Sequence, residues 1–222
     1  MFADRLDAAR RLAARLSHLK GRHPLVLAIP RGAVPMADHI ACALDGELDV
    51  VLVRKLGAPG NPEYAIGAVD EAGQVQLNPD VAEGIDPDYL HEEISRQRAV
   101  LAARRQAYGP AVDPTGRVVI VVDDGVATGS TFIAALRALR AQQPQRLIAA
   151  FGVAPPEALH RFSRLADEVV CLETPAWFGS VGAFYQDFPQ VTDAEVMRLL
   201  QARTGASPDP AGHGNASSDA CP

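Results

Sequence analysis

The segment Val118-Val119-Ile120-Val121-Val122-Asp123-Asp124-Gly125-Val126-Ala127-Thr128-Gly129-Ser130-Thr131 constrains this chain more than any other. Its first five residues are all β-branched and offer no polar side, so they read as a strand buried on both faces, as in the middle of a parallel sheet. Two carboxylates close that strand, at the end where open α/β sheets bind ligands. A loop of small and hydroxyl residues follows, and then a helical pattern begins at Thr131. Such a loop can hold a phosphate with backbone N–H groups and the positive end of the next helix. Carboxylates beside a phosphate suit hydroxyl groups or a divalent cation. The segment therefore asks for a ligand with a phosphate at one end and a diol or metal nearby, as a sugar phosphate has. Other phosphate loops do not fit, because no Lys follows Gly129 and no Gly-x-Gly-x-x-Gly occurs.

The 222 residues suit one α/β domain with a small subdomain. A net charge of −6 argues against a general nucleic-acid-binding surface, so an anionic ligand must be met by local basic groups. Lysine is scarce, at Lys20 and Lys55 only, and arginine dominates the basic set. No Cys-x-x-Cys occurs and the histidines are scattered, which gives no support to a zinc site. The charged N-terminus lacks a signal-peptide core, and no apolar run reaches membrane-span length. A soluble, cytoplasmic protein with no membrane partner is expected.

Strand and helix patterns alternate along the chain. Phe2 to Leu19 has helical spacing, Pro24 to Ile29 is a short buried strand, and Val34 to Leu44 a helix. Leu48 to Val53 reads as a second core strand ending at Arg54-Lys55. Leu56 to Asn78 is rich in Gly and Pro, with strand-like pieces at Ala65–Val69 and Gln74–Leu77, and reads as a mobile hairpin. A long helix runs from Asp86-Pro87-Asp88 to about Tyr108, with charges that make most of it solvent-facing. After the acidic strand come a helix to Ala141, a strand at Gln145–Val153, a helix at Pro156–Leu165, a strand at Glu168–Leu172 and a helix at Thr192–Arg203. The expected fold is α/β, a doubly wound and mainly parallel sheet with flanking helices, a flexible lid hairpin and a small hood subdomain. The domain would span 1–204, with the lid at about 56–110 and the hood at about 173–190 plus the N-terminal helix. The Gly-, Pro- and Ser-rich tail at 205–222 is expected to be disordered.

Two further motifs carry chemistry. Leu27-Ala28-Ile29-Pro30-Arg31-Gly32-Ala33-Val34-Pro35 is a strand, a tight turn and a helix start. There Gly32 lets the backbone approach a ligand, Arg31 adds a fixed charge, and free N–H groups point outward. Val51-Leu52-Val53-Arg54-Lys55-Leu56-Gly57 places a basic pair at a strand end, a position consistent with anion binding. The aromatic cluster Trp177, Phe178, Phe184 and Tyr185 lies after the core strands. Its rings could stack on a flat heterocycle or pack onto the core.

The acidic segment resembles the signature of the type I phosphoribosyltransferases, in which a hydrophobic strand and two acids precede Thr-Gly-x-Thr. The turn at Pro30–Gly32 is similar to the pyrophosphate-binding turn of xanthine-guanine phosphoribosyltransferases. Val53-Arg54-Lys55 resembles the Val-Arg-Lys segment of adenine phosphoribosyltransferases. The resemblance implies Mg²⁺-dependent transfer of a phosphoribosyl group from phosphoribosyl pyrophosphate to a nitrogen acceptor, with release of pyrophosphate, as in nucleotide salvage. It implies that Asp123 and Asp124 hold the ribose hydroxyls and, through these or water, the metal. Ala127, Thr128, Gly129, Ser130 and Thr131 would wrap the 5′-phosphate. Arg31, Gly32, Ala33, Arg54 and Lys55 would bind pyrophosphate, and Asp123, Asp124, Arg31 and Lys55 would carry catalysis. Trp177, Phe178 or Tyr185 would stack on a base. The family turn often holds a cis peptide not preceding proline, which by match would be Pro30–Arg31. A homodimer is the family-level expectation. One departure stands out. The 6-oxopurine enzymes have an Asp just before Thr-Gly, and here that position is Ala127, which makes hypoxanthine or guanine a less expected acceptor. Glu63 and Glu71 are then candidate bases. The alternative function is a non-catalytic sensor of phosphoribosyl pyrophosphate or a nucleotide.

Overall fold

The computed structural model describes residues 1–78, 81, 83–127 and 129–204. Thr128 and the tail at 205–222 lie outside the described residues, as do the side chains of Glu63 and Thr204. The central sheet is wholly parallel. It comprises β1 (Leu25–Ala28), β2 (Glu47–Val50), β6 (Val118–Gly125), β7 (Arg146–Val153) and β8 (Glu168–Glu173), in the order β2-β1-β6-β7-β8. Val118 to Val122 are all buried, as their uninterrupted β-branched run requires. Even-numbered members of that run join one core and odd-numbered members the other. The first core takes α1 (Arg5–Arg15) and α2 (Val34–Ala43), and the second takes α4 (Ser130–Ala141) and α5 (Pro156–Phe162).

From β1 the chain winds to β2 on one side, and β6 returns on the other side of β1. This reversal opens a crevice at the carboxyl ends of β1 and β6, the position where doubly wound sheets bind ligands. The turns after both strands border it, and Ile29 N–H donates to the Val122 carbonyl across it at 3.0 Å.

The excursion between β2 and β6 forms a second sheet. β3 (Val53–Ala58), β4 (Asn61–Asp70) and β5 (Val75–Leu77) run antiparallel in that order, and α3 (Pro87–Tyr108) leads back to the core. This corrects the sequence reading of Leu48–Val53 as one core strand. Val51 N–H still bonds the Ala28 carbonyl, but Val53 pairs with Asp70, so the chain changes sheets within the apolar run. Arg54 and Lys55 consequently sit on β3 of the hairpin sheet.

Most of α3 faces solvent, as the sequence suggests, but one face of it is packed. Glu93 is 2% exposed, Leu101 and Tyr108 are buried, and Arg105 anchors the hairpin to the core. Arg105 donates to Glu71 at 2.5 and 2.9 Å, to the Asp49 carboxylate at 3.0 Å and to the Val50 carbonyl at 2.8 Å. Glu71 is therefore engaged by Arg105 in this network. Replacing Arg105 by alanine would strand Asp49, only 5% exposed, without its cation. Removal of one partner from such a buried pair costs about 3 kcal/mol. Urea unfolding of Arg105→Ala is expected to show that loss as a lower midpoint with an unchanged slope.

The N-terminal residues meet the hood segment over the carboxyl edge of the sheet. Phe2 N–H donates to the Phe184 carbonyl, Gln186 N–H to Phe2, and Asp187 N–H to Ala3. The last helix, α6 (Asp193–Thr204), packs against α2, α3 and β2.

Candidate active site

A cavity of about 420 Å³ lies in the crevice. Pro30 from the turn after β1, Arg54 and Lys55 from β3, Arg104 from α3, and Ser130 and Thr131 from α4 all line it. No carboxylate is among its described lining residues, so its field is cationic. Segments far apart in sequence thus converge on one space.

A helix terminus adds to that field. α4 starts at Ser130 with Gly129 as its N-cap, and no side chain caps the first turn. α2 differs: its Val34 N–H already donates to the Arg31 carbonyl at 3.1 Å and Pro35 has no N–H, so α4 is the terminus with donors to offer. Uncapped first-turn N–H groups need acceptors, and an anion supplies them. Gly129 has φ +78°, a left-handed conformation that glycine adopts at little cost. A β-carbon there would also come within 3.0 Å of the Phe162 ring. Ala127 is exposed and belongs to the same loop.

Arg54 donates through Nε to Gln97 at 2.8 Å, which fixes its direction. Burial and the like charge of Arg104 push its pKa below the usual guanidinium range, and Glu93 opposes them. Arg104 has no ion pair or hydrogen bond among the described residues, so two neighbouring cations await an anion. Sequence reasoning left Arg104 in a solvent-facing helix. The signal was present: Glu93, Gln97, Leu101, Arg104 and Tyr108 recur at helical spacing on one face.

The Pro30–Arg31 peptide is cis, as the family match anticipated. Arg31 is exposed and reaches Asp193 at 3.2 Å, outside the cavity lining. Asp193 also accepts from the Tyr108 hydroxyl at 2.8 Å. Burial, then the Asp193 carboxylate, pushes that phenol up to about 12, so it stays a donor. Ala33 is buried at the start of α2.

The paired aspartates close β6. Asp123 accepts from the Asp124 N–H at 2.9 Å, and burial followed by the Asp124 charge raises its pKa well above the carboxylate range. Asp124 lies against Gly32, whose missing side chain makes the room: a β-carbon there would be 2.3 Å from Oδ2. Arg5 donates through Nε to the same oxygen at 2.9 Å. Burial raises the Asp124 pKa, and Arg5 offsets part of that rise. Neither aspartate lines the cationic cavity; they stand beside it across the Pro30–Gly32 turn.

The aromatic cluster divides. Trp177 is 92% exposed and Phe178 is partly exposed, 5.5 Å from the Phe184 ring. Tyr185 is only 5% exposed, between Phe2 at 5.0 Å and Phe188 at 4.8 Å, and donates to the Asp124 carbonyl at 2.6 Å. Both ring faces being covered, Tyr185 packs the hood segment onto the sheet and is not placed to stack on a ligand, contrary to one reading of the sequence. Among the described residues no helix is long and apolar enough to cross a membrane.

The chain is similar to known proteins. Two Mycobacterium tuberculosis proteins, from strains CDC 1551 and H37Rv, that carry only a provisional phosphoribosyl transferase name are each 42% identical over 205 residues. Those matches cover 90% of this chain and 46% of theirs, so the chain spans about half the length of these curated relatives. The crystal structure of the protein TT1426 from Thermus thermophilus is 47% identical, covers 91% of this chain and 98% of its own, and superposes with a TM-score of 0.81. The sequence profile of the phosphoribosyl transferase domain matches residues 2–189, and the chain belongs to that family.

Proposed function

We propose that the protein transfers the phosphoribosyl group of phosphoribosyl pyrophosphate to a nitrogen acceptor, a nucleobase in the first instance, and releases pyrophosphate. The observation that carries this reading is the cationic cavity of Arg54, Lys55 and Arg104 at the N-terminus of α4, with an acid pair across the Pro30–Gly32 turn. Pyrophosphate matches the three cations, and a 5′-phosphate matches the α4 terminus at Gly129 to Thr131. Asp123 and Asp124 are left for the ribose hydroxyls. Positive charge grows on the ribose as pyrophosphate departs, and the acid pair stabilises it. Anchoring the phosphate at α4 aligns the anomeric carbon with the incoming nitrogen. Arg31, held by Asp193, borders the leaving-group side. Trp177 and Phe178 are the rings of the cluster left open to solvent and so free to stack on a base, and the hairpin sheet is a candidate lid against water.

The chemistry of the donors bears on a metal. Among the described residues no three His, Cys, Asp or Glu converge. Asp123 and Asp124 are the residues that would hold Mg²⁺, which is commonly bound by one or two carboxylates plus substrate phosphates. So bound, it would neutralise charge on the leaving group. A homodimer is the family-level expectation, and a cytoplasmic location the expectation from the sequence.

The test is pyrophosphate release from the donor against a panel of purines and pyrimidines, with and without Mg²⁺. Release with one class of acceptor is the expected result. Donor binding without turnover for every acceptor would overturn transfer in favour of a sensor.

A further inference from the structure

Arg5 belongs to none of the sequence motifs, yet its side chain hydrogen-bonds the Asp124 carboxylate. We propose that Arg5 is a positioning residue that fixes the Asp124 carboxylate for the donor's ribose hydroxyls; this rests on the donor site proposed above. Arg5 opens α1, 119 positions from its partner in sequence. Its Nε donates to Asp124 Oδ2 at 2.9 Å, its Nη1 donates to the Pro189 carbonyl at 2.6 Å, and its guanidinium carbon lies 3.6 Å from the centroid of the Phe188 ring. These contacts fix the position and the plane of the group. Both side chains are largely shielded, at 11% and 13% exposure, so the pair is little screened by solvent.

The rest of the surroundings explain why a fixed cation is needed. Asp123 adjoins Asp124, and two neighbouring carboxylates repel. Gly32 forms a wall on one side of Oδ2, and Tyr185 holds the backbone carbonyl from the hood. Those two contacts place the main chain and bound the space without choosing the direction of the carboxylate. Arg5 makes that choice by occupying Oδ2 from the side of α1. Its other anchors, Pro189 and Phe188, are in the hood, so the residue links the covering segment to the ribose contact.

Calorimetric titration of the full chain with phosphoribosyl pyrophosphate and Mg²⁺ tests this as a double-mutant cycle. Arg5→Met is expected to raise the donor Kd about tenfold or more, the scale of one shielded charge-assisted contact. Arg5→Lys keeps the charge without the fork and should recover part of the loss. In an Asp124→Asn background, Arg5→Met should add nothing, because its effect passes through Asp124. Should Arg5→Met not fold, Arg5→Lys carries the same comparison in both backgrounds. An equal loss in both backgrounds would overturn the proposal, as would unchanged affinity with a lowered Tm, the mark of a strut between α1 and the hood. Tighter binding by Arg5→Met would make Arg5 a blocking group and would equally overturn it. Failure of the unaltered chain to bind the donor is a different result, because it removes the donor site itself.

Discussion

Alanine at position 32 is expected to weaken donor binding about a hundredfold or more and to lower the Tm. The added β-carbon would stand 2.3 Å from Asp124 Oδ2 and 3.2 Å from Arg5 Nη2. Carbon and oxygen do not approach so closely, so one group must move. The Asp124 main chain is fixed by β-pairing and Tyr185, and Gly32 sits in the turn between β1 and α2. The carboxylate yields first and breaks its bond to Arg5. Overpacking of this kind costs about 1–3 kcal/mol of stability. The loss of affinity follows because the displaced carboxylate no longer has the direction the ribose contact needs, and contacts of a charged group are worth about 1.5–3 kcal/mol each. Gly84→Ala is the control, since a β-carbon there meets nothing within 4 Å. Calorimetry and thermal unfolding on both variants check the expectation. Wild-type affinity in Gly32→Ala would mean that Asp124 does not hold the donor.

Much of this fold is legible in the sequence because its signals are local. The β-branched run at 118–122 has one comfortable environment, the centre of a parallel sheet. The end of that run, the acid pair and Gly129 then follow by chain order alone. The limits of the reading are equally physical. Val50 to Val53 is continuous apolar sequence, and the place where it leaves one sheet for another depends on whether Ala28 or Asp70 is the partner. Periodicity carries no information about partners. Aromatic residues near the C-terminus face the same ambiguity: Tyr185 and Trp177 look alike in sequence, yet one is buried by Phe2 from the opposite end of the chain and the other is exposed.

Charged residues mislead for a related reason. In α3 the arginines at 96, 98, 104 and 105 read as one solvated set. The hairpin sheet and α6 pack on that helix and divide them. Arg105 closes a buried network with Asp49 and Glu71, while Arg104 projects into the cavity. Arg5 could not be found from any motif, since its meaning comes from a contact across 119 positions. The charged residues gathered around the candidate site thus come partly from short motifs and partly from tertiary packing.

Removal of two cations from the cavity is the second large effect expected. Arg104→Ala and Lys55→Ala should each raise the donor Kd about tenfold to a hundredfold, and the double variant about a thousandfold, from charge-assisted contacts to pyrophosphate. The same variants should raise the inhibition constant of inorganic pyrophosphate in parallel. Binding of a nucleoside 5′-monophosphate product should change little, because its phosphate belongs at the α4 terminus. Equal losses for pyrophosphate and monophosphate would show a general field and remove the assignment. Stability should respond in the opposite sense for Arg104. It repels Arg54 across the cavity and has no carboxylate partner among the described residues. The free protein with alanine at 104 should therefore melt at the same temperature or higher. Such a variant, at least as stable and much weaker toward pyrophosphate, is what a residue retained for its ligand rather than its fold must produce.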